Sequence, residues 1–243
     1  MHIFKRLKMG QYRLRQWIAN VFVYPQKKIS DTLTYDDYWG DKRPVQNENI
    51  LAPAEASRAR IISARMGTGT IGDIGSGPGV VLKAIIDQHP GMRGIAFDSS
   101  PRALDDAKKL GIEGHLLDLT APGALKNIPA CDYYIVLEVL EHVHKSDEVL
   151  RALVGKCTKA VFFSVPNTGF FRHRLRLLFG RAPAQWVHMP NEHLRFWTIR
   201  DMRWWLTALG YTKFKIIPYH GVPGLNQMMP NLFAEGQIIE VSP

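Results

Sequence analysis

Thr70-Ile71-Gly72-Asp73-Ile74-Gly75-Ser76-Gly77-Pro78-Gly79-Val80-Val81 joins an apolar run to three glycines at alternate positions, then to a helix-like run that ends at Ile86. A strand, a tight turn and a helix start, in that order, open the nucleotide pocket of a doubly wound α/β sheet. Glycine suits the turn because it accepts φ > 0 and lets a ligand approach the backbone. The dinucleotide fingerprint G-x-G-x-x-G needs a glycine at position 80, where Val80 stands. The spacing is instead G-x-G-x-G, with Asp73 two residues ahead of the first glycine.

This stretch resembles the S-adenosylmethionine (SAM) loop of class I methyltransferases. The resemblance implies SAM as cofactor, held around Asp73, Gly75, Ser76, Gly77 and Gly79. SAM carries a sulfonium, an ammonium and a carboxylate, so an acid at the turn has a cationic partner. Asp98, 23 residues after Gly75, ends the run Gly94-Ile95-Ala96-Phe97 and precedes Ser99 and Ser100. An acid at that offset accepts hydrogen bonds from ribose hydroxyls in dinucleotide folds; the competing role is a cap for the helix after Pro101. In His115-Leu116-Leu117-Asp118-Leu119 the acid ends a third run. By the same resemblance Asp118 lies beside the adenine and accepts from its exocyclic amine, with Ser99, Leu119 and Glu138 completing the cofactor contacts.

At 243 residues and 46% hydrophobic content the chain suits one α/β domain with extra segments. Strand patterns at 70–74, 93–97, 114–117, 132–137, 159–165, 212–217 and 236–241 alternate with helical ones at 54–66, 79–88, 101–109, 122–127, 146–155 and 198–209. Such alternation implies a parallel sheet. Seven strands, the last two as an antiparallel pair, match the class I methyltransferase arrangement: a Rossmann-like, mostly parallel sheet with helices on both faces. Residues 1–53 are expected to form a basic amphipathic helix followed by an aromatic cap segment around Tyr35-Asp36-Asp37-Tyr38-Trp39-Gly40. Residues 54–243 are then the SAM-binding domain, and 167–197 exceed the minimal fold. A connection that long, rich in aromatics and prolines, is expected to serve as a lid over the substrate pocket.

After the fourth strand pattern comes Glu138-Val139-Leu140-Glu141-His142-Val143, and fifty-one residues beyond His142 stands Asn191-Glu192-His193-Leu194-Arg195-Phe196-Trp197-Thr198. If the chain turns helical at once, Glu138, Glu141 and His142 share one face at the carboxyl end of the sheet. The E-x-x-E-H set with a later histidine resembles the ubiquinone-biosynthesis O-methyltransferases and the small-RNA 2′-O-methyltransferases. The second resemblance implies Glu138, Glu141, His142 and His193 as ligands of a divalent metal, Mg²⁺ or Mn²⁺, which would acidify and orient the acceptor hydroxyl. The alternative is catalysis without metal, with His142 as general base supported by Glu138 and His193. Residues 164–198 also resemble the SAM-binding protein of methionine biosynthesis. That resemblance implies a non-catalytic partner of an acyltransferase; the E-x-x-E-H set favours an enzyme.

The net charge of +9 is concentrated at the start: Lys5, Arg6, Lys8, Arg13, Arg15, Lys27 and Lys28 give +7 over residues 1–30, leaving +2 for the rest. A nearly neutral catalytic region argues against nucleic acid as acceptor. The basic, apolar-striped residues 1–28 suit either packing across the domain or peripheral contact with an anionic membrane. Arg172, Arg174, Arg176 and Arg181 suit an acidic, glycan-bearing or lipid-linked acceptor, or form a solvated helix face. Two cysteines, Cys131 and Cys157, and no signal-peptide core lead to an expectation of a cytoplasmic protein.

Overall fold

The computed structural model describes residues 51–183 and 193–243. The expected N-terminal helix and aromatic cap, and the stretch 184–192 of the insertion, lie outside these residues.

Helix α1 (Pro53–Ser63) opens the described chain, with proline at its first turn and the Glu55 carboxylate accepting from the Ala52 N–H at 2.8 Å. It is followed by β1 (Thr70–Ile74), α2 (Val80–Ile86), β2 (Arg93–Asp98), α3 (Pro101–Lys109), β3 (Glu113–Leu116) and β4 (Cys131–Leu137). Then come α4 (Ser146–Lys156), β5 (Cys157–Pro166), α5 (Phe171–Leu178), α6 (Ile199–Ala208) and β6 (Phe214–Tyr219). Two short helices, α7 (Leu225–Met228) and α8 (Pro230–Phe233), lead into β7 (Gly236–Val241). The seven strands form one sheet in the order β3-β2-β1-β4-β5-β7-β6. Pairings among β1 to β5 are parallel, and β7 runs antiparallel between β5 and β6. The chain winds outward in opposite directions from β1 and β4, so their carboxyl ends form the switch-point crevice where ligands bind in such sheets.

The sheet's two faces follow from strand alternation. Tyr134, Val136 and Phe163 face Leu150, Leu153, Met202 and Leu206 from α4 and α6. Tyr133, Ile135 and Phe162 belong to the opposite layer, with Ile62 of α1, Leu82 and Ile85 of α2 and Ala107 of α3. Burial on both faces is why β4 and β5 read as near-continuous apolar runs.

Two local expectations are corrected, and one pair of helices was not anticipated. The segment 122–127 is a 3₁₀ turn, Ala124–Asn127, too short and too glycine- and proline-bounded for an α-helix. The chain after β4 does not turn helical at once, because Glu138 takes a left-handed conformation (φ 58°) and only Leu140–His142 makes a 3₁₀ turn. The α7–α8 pair between β6 and β7 was not expected, since two four-residue helices leave no periodic signal.

The described part of the insertion begins at Asn167, which is fully buried. Its amide donates to Ala234 O at 2.7 Å, and its Oδ1 accepts from Gly169 N at 3.0 Å. Asn167 and Trp197 also form a bridge that brings the two ends of the insertion together. Asn167→Leu leaves the Ala234 carbonyl without this donor, and a loss of about 1–3 kcal/mol is expected, read as a lower denaturation midpoint. Within α5, Arg172 and Arg174 are exposed, whereas Arg176 is buried and donates from Nε to Ala182 O at 2.8 Å. Arg176 therefore belongs to the fold of the insertion, not to a solvated face. Among the described residues, no helix is long and apolar enough to cross a membrane.

Candidate active site

Gly75, Gly77 and Gly79 all have positive φ, at 72°, 52° and 75°. The loop is pinned to the end of β2: Gly75 N and Ser76 N both donate to Phe97 O, at 2.7 and 3.1 Å, and Gly77 N donates to Asp98 Oδ2 at 2.8 Å. A Cβ on Gly75 would lie 2.5 Å from Val139 Cγ2, so this glycine lets the segment after β4 close against the loop. Ser76 directs its hydroxyl to Gly77 O. The other oxygen of Asp98 accepts from Ser100 N at 2.9 Å, while Ser100 itself caps α3 by accepting from Ala103 N. The cap is thus Ser100, and Asp98 is the buried acid that shapes the loop. Ser99 is exposed beside it. Asp118 is exposed beyond β3 and accepts from Thr120 N and Oγ1 at 2.8 and 2.7 Å, and Leu119 packs on the core.

Asp73 is 2% exposed, and no described residue donates a hydrogen bond to its carboxylate. Burial and the neighbouring Asp98 push its pKa up to about 8, with Arg58 pulling the other way. A buried carboxylate in that setting would be stabilised by a cationic ligand group. Arg58, on α1, was not singled out from the sequence. Burial works to lower its pKa, but Glu138 and then Tyr219 turn the net direction upward. Its Nη1 donates to Tyr219 Oη at 3.1 Å and lies 3.5 Å from Glu138 Oε1, and its buried Nε has no hydrogen-bond partner among the described residues. The available signal was that Arg58 precedes the buried Ile62 by four positions and so shares the apolar face of α1.

Glu138 and Glu141 are separated by the left-handed turn. Glu138 Oε1 accepts from Ser164 Oγ at 2.7 Å and from Tyr219 Oη at 3.3 Å. Among the described residues, the group that could hold a metal ion is Glu141, His142 and His193, with one ligand atom from each within 4.8 Å of the others. Glu138 falls outside it: the expected four-residue ligand set is reduced to three because the helix meant to align Glu138 with Glu141 does not form. Leu194 N and Arg195 N donate to Glu141 O at 2.8 and 3.0 Å, which brings His193 to His142 with ring centroids 4.7 Å apart.

Both carboxylate oxygens of Glu141 are buried without a hydrogen-bond donor among the described residues, and its pKa is raised well above the usual range by burial and by Glu138. His142 Nε2 approaches Glu141 Oε1 at 3.9 Å. Burial, then His142, pushes His193 down to about 4, so its ring stays neutral near pH 7 and keeps a lone pair for a ligand. An orphaned buried carboxylate beside two imidazoles is a donor set that a divalent cation would satisfy. Nitrogen donors suit Mn²⁺, Fe²⁺ or Zn²⁺ better than Mg²⁺, which prefers oxygen.

Residues 42–215 match the family model described as a methyltransferase domain. The chain is 29% identical over 128 residues to flavonoid 7-O-methyltransferase 1B of Mentha piperita, covering 49% of this chain and 35% of that protein. It is 25% identical over 135 residues to flavonoid 4′-O-methyltransferase 4 of the same plant, covering 52% and 37%. The chain therefore spans about a third of the length of these curated relatives. In the solved structure of the small RNA methyltransferase HEN1 the fold recurs with a TM-score of 0.57 and 22% identity, over 82% of this chain and 26% of that one.

Proposed function

The chain belongs to the methyltransferase-domain family, and on that premise we propose that it is a SAM-dependent O-methyltransferase acting on a small-molecule, saccharide or lipid-linked hydroxyl. The observation that carries the oxygen acceptor is the Glu141–His142–His193 cluster at the carboxyl end of β4, next to the glycine loop. Two relatives named as O-methyltransferases lend it support. A non-catalytic role beside an acyltransferase gains no support from this family membership.

SAM supplies a methyl group on a sulfonium, already activated for displacement. The protein's task is to position the acceptor oxygen and take its proton. Asp73 would receive the ammonium, Arg58 would receive the carboxylate, and Asp98 and Asp118 would serve the ribose and adenine. As the acceptor oxygen bonds to the methyl carbon, the carbon–sulfur bond breaks to leave a thioether, and the hydroxyl proton is released at the cluster. In one reading Glu141, His142 and His193 would hold a divalent cation, which would lower the hydroxyl's pKa. A second reading has His142 take the proton itself, oriented by Glu141; the partial exposure of His142, 27% of its side chain, favours it.

With methyl-labelled SAM and a panel of hydroxyl, amine and activated-carbon acceptors, label is expected in hydroxyl compounds with release of S-adenosylhomocysteine. Transfer confined to amines or carbon would sink the oxygen assignment.

A further inference from the structure

We propose that Tyr219 and Ser164 are positioning residues: through Oε1 of Glu138 they hold Arg58 in place for cofactor binding. The inference rests on the reading of Asp73 and Arg58 as the groups that receive the amino-acid end of SAM.

Glu138 is where β4 leaves the sheet, and its φ of 58° is one that a non-glycine residue adopts only when its surroundings compel it. The compulsion is visible. Its backbone N–H donates to Ser164 O at 3.0 Å, and the Ser164 hydroxyl returns to its Oε1 at 2.7 Å. Arg58 Nη1 donates to Tyr219 Oη at 3.1 Å, and Tyr219 Oη donates onward to the same Oε1 at 3.3 Å. Each hydroxyl thus works in one consistent direction, and α1, β5, β6 and the end of β4 meet on a single carboxylate oxygen. Ser164 is fully buried and Tyr219 is 6% exposed, positions that alanine and phenylalanine would fill for packing alone.

Gly236 supplies an independent sign. It pairs with Tyr219 across β6 and β7, and a Cβ there would lie 2.4 Å from Tyr219 Cε1. Close approach of the ring, not a left-handed backbone, is what calls for glycine at this position. The tyrosine ring is thereby fixed with its hydroxyl between Arg58 and Glu138. Arg58 is held by Nη1 from this side; its Nε is buried with no partner among the described residues, and its charge acts on Asp73.

The test is SAM titration calorimetry on the full chain, with kinetics once an acceptor is known and melting curves for every variant. Tyr219→Phe and Ser164→Ala are each expected to raise the SAM Kd and KM about tenfold with kcat within about twofold. Gly236→Ala, which removes no polar group, is expected to reproduce the Tyr219→Phe shift by displacing the ring. Glu138→Gly relieves the backbone strain but leaves Arg58, Ser164 and Tyr219 without their shared acceptor, so its SAM Kd is expected to rise about tenfold or more and its melting temperature to fall. For Tyr219→Phe and Ser164→Ala, a merely structural role would lower the melting temperature without moving the SAM Kd of the folded protein. Wild type that binds SAM while Tyr219→Phe, Ser164→Ala and Glu138→Gly bind equally well overturns the positioning role and leaves the cofactor reading intact. Wild type that does not bind SAM overturns both.

Discussion

Asp73→Asn is expected to weaken SAM binding by about 100-fold and, in the cofactor-free protein, to raise the melting temperature at pH 9. The first effect follows from losing a charged acceptor for the ammonium, since a hydrogen bond to a charged group is worth roughly 1.5–3 kcal/mol. The second follows from linkage. Burial and Asp98 raise the Asp73 carboxyl from 3.8 to about 8 in the folded protein. A carboxyl raised in this way contributes stability that is fully present below about pH 4 and is lost as pH rises through about 8. Wild type without SAM should therefore lose stability across that window, and asparagine, which cannot ionise, should flatten the slope. Saturating SAM should flatten it too, because a cation then sits beside the carboxylate. Calorimetry and melting curves at pH 5, 7 and 9 check both halves. Equal pH slopes in wild type and Asp73→Asn would refute the assignment of the buried charge.

His142→Ala is expected to lower kcat by about a thousandfold, within the 10²–10⁴ range of proton removal by a positioned group. The companion variants decide how the proton leaves. If the cluster holds a metal, His193→Ala and Glu141→Gln should fall nearly as far as His142→Ala, since ligands of one ion act as a unit. EDTA should then abolish transfer, and Mn²⁺ should restore it. If His142 is the base, His193→Ala should be mild and EDTA harmless. Undiminished turnover by His142→Ala would remove the cluster from the mechanism altogether. In every case SAM affinity, proposed to depend on Asp73 and Arg58, should change little. That separates acceptor activation from cofactor binding.

The sheet was legible because β4 and β5 carry the apolar runs Tyr133–Leu137 and Ala160–Phe163 and β1 runs straight into glycines; β1 and β7 fall at the expected bounds. Glu138 shows where legibility ended. Helical spacing would align it with Glu141, and nothing in the neighbouring residues announces a φ of 58° at a glutamate. Its partners stand 26 and 81 positions away, at Ser164 and Tyr219, so its role is a long-range property. Arg58 illustrates the same limit, because a cation on an apolar helix face cannot be told from a snorkelling one until its partners are seen.

By itself the sequence determined the doubly wound sheet, the glycine turn and the acids at three strand ends. These depend on local periodicity, on spacing and on the conformations that glycine alone adopts freely. Only the tertiary structure decided which charges meet. It detached Glu138 from Glu141 and His142, brought His193 to them through two backbone hydrogen bonds, and set Arg58 against Tyr219 and Glu138. The physical reason is that side-chain electrostatics acts over a few ångströms of space, and one left-handed residue redirects a side chain without altering the pattern around it.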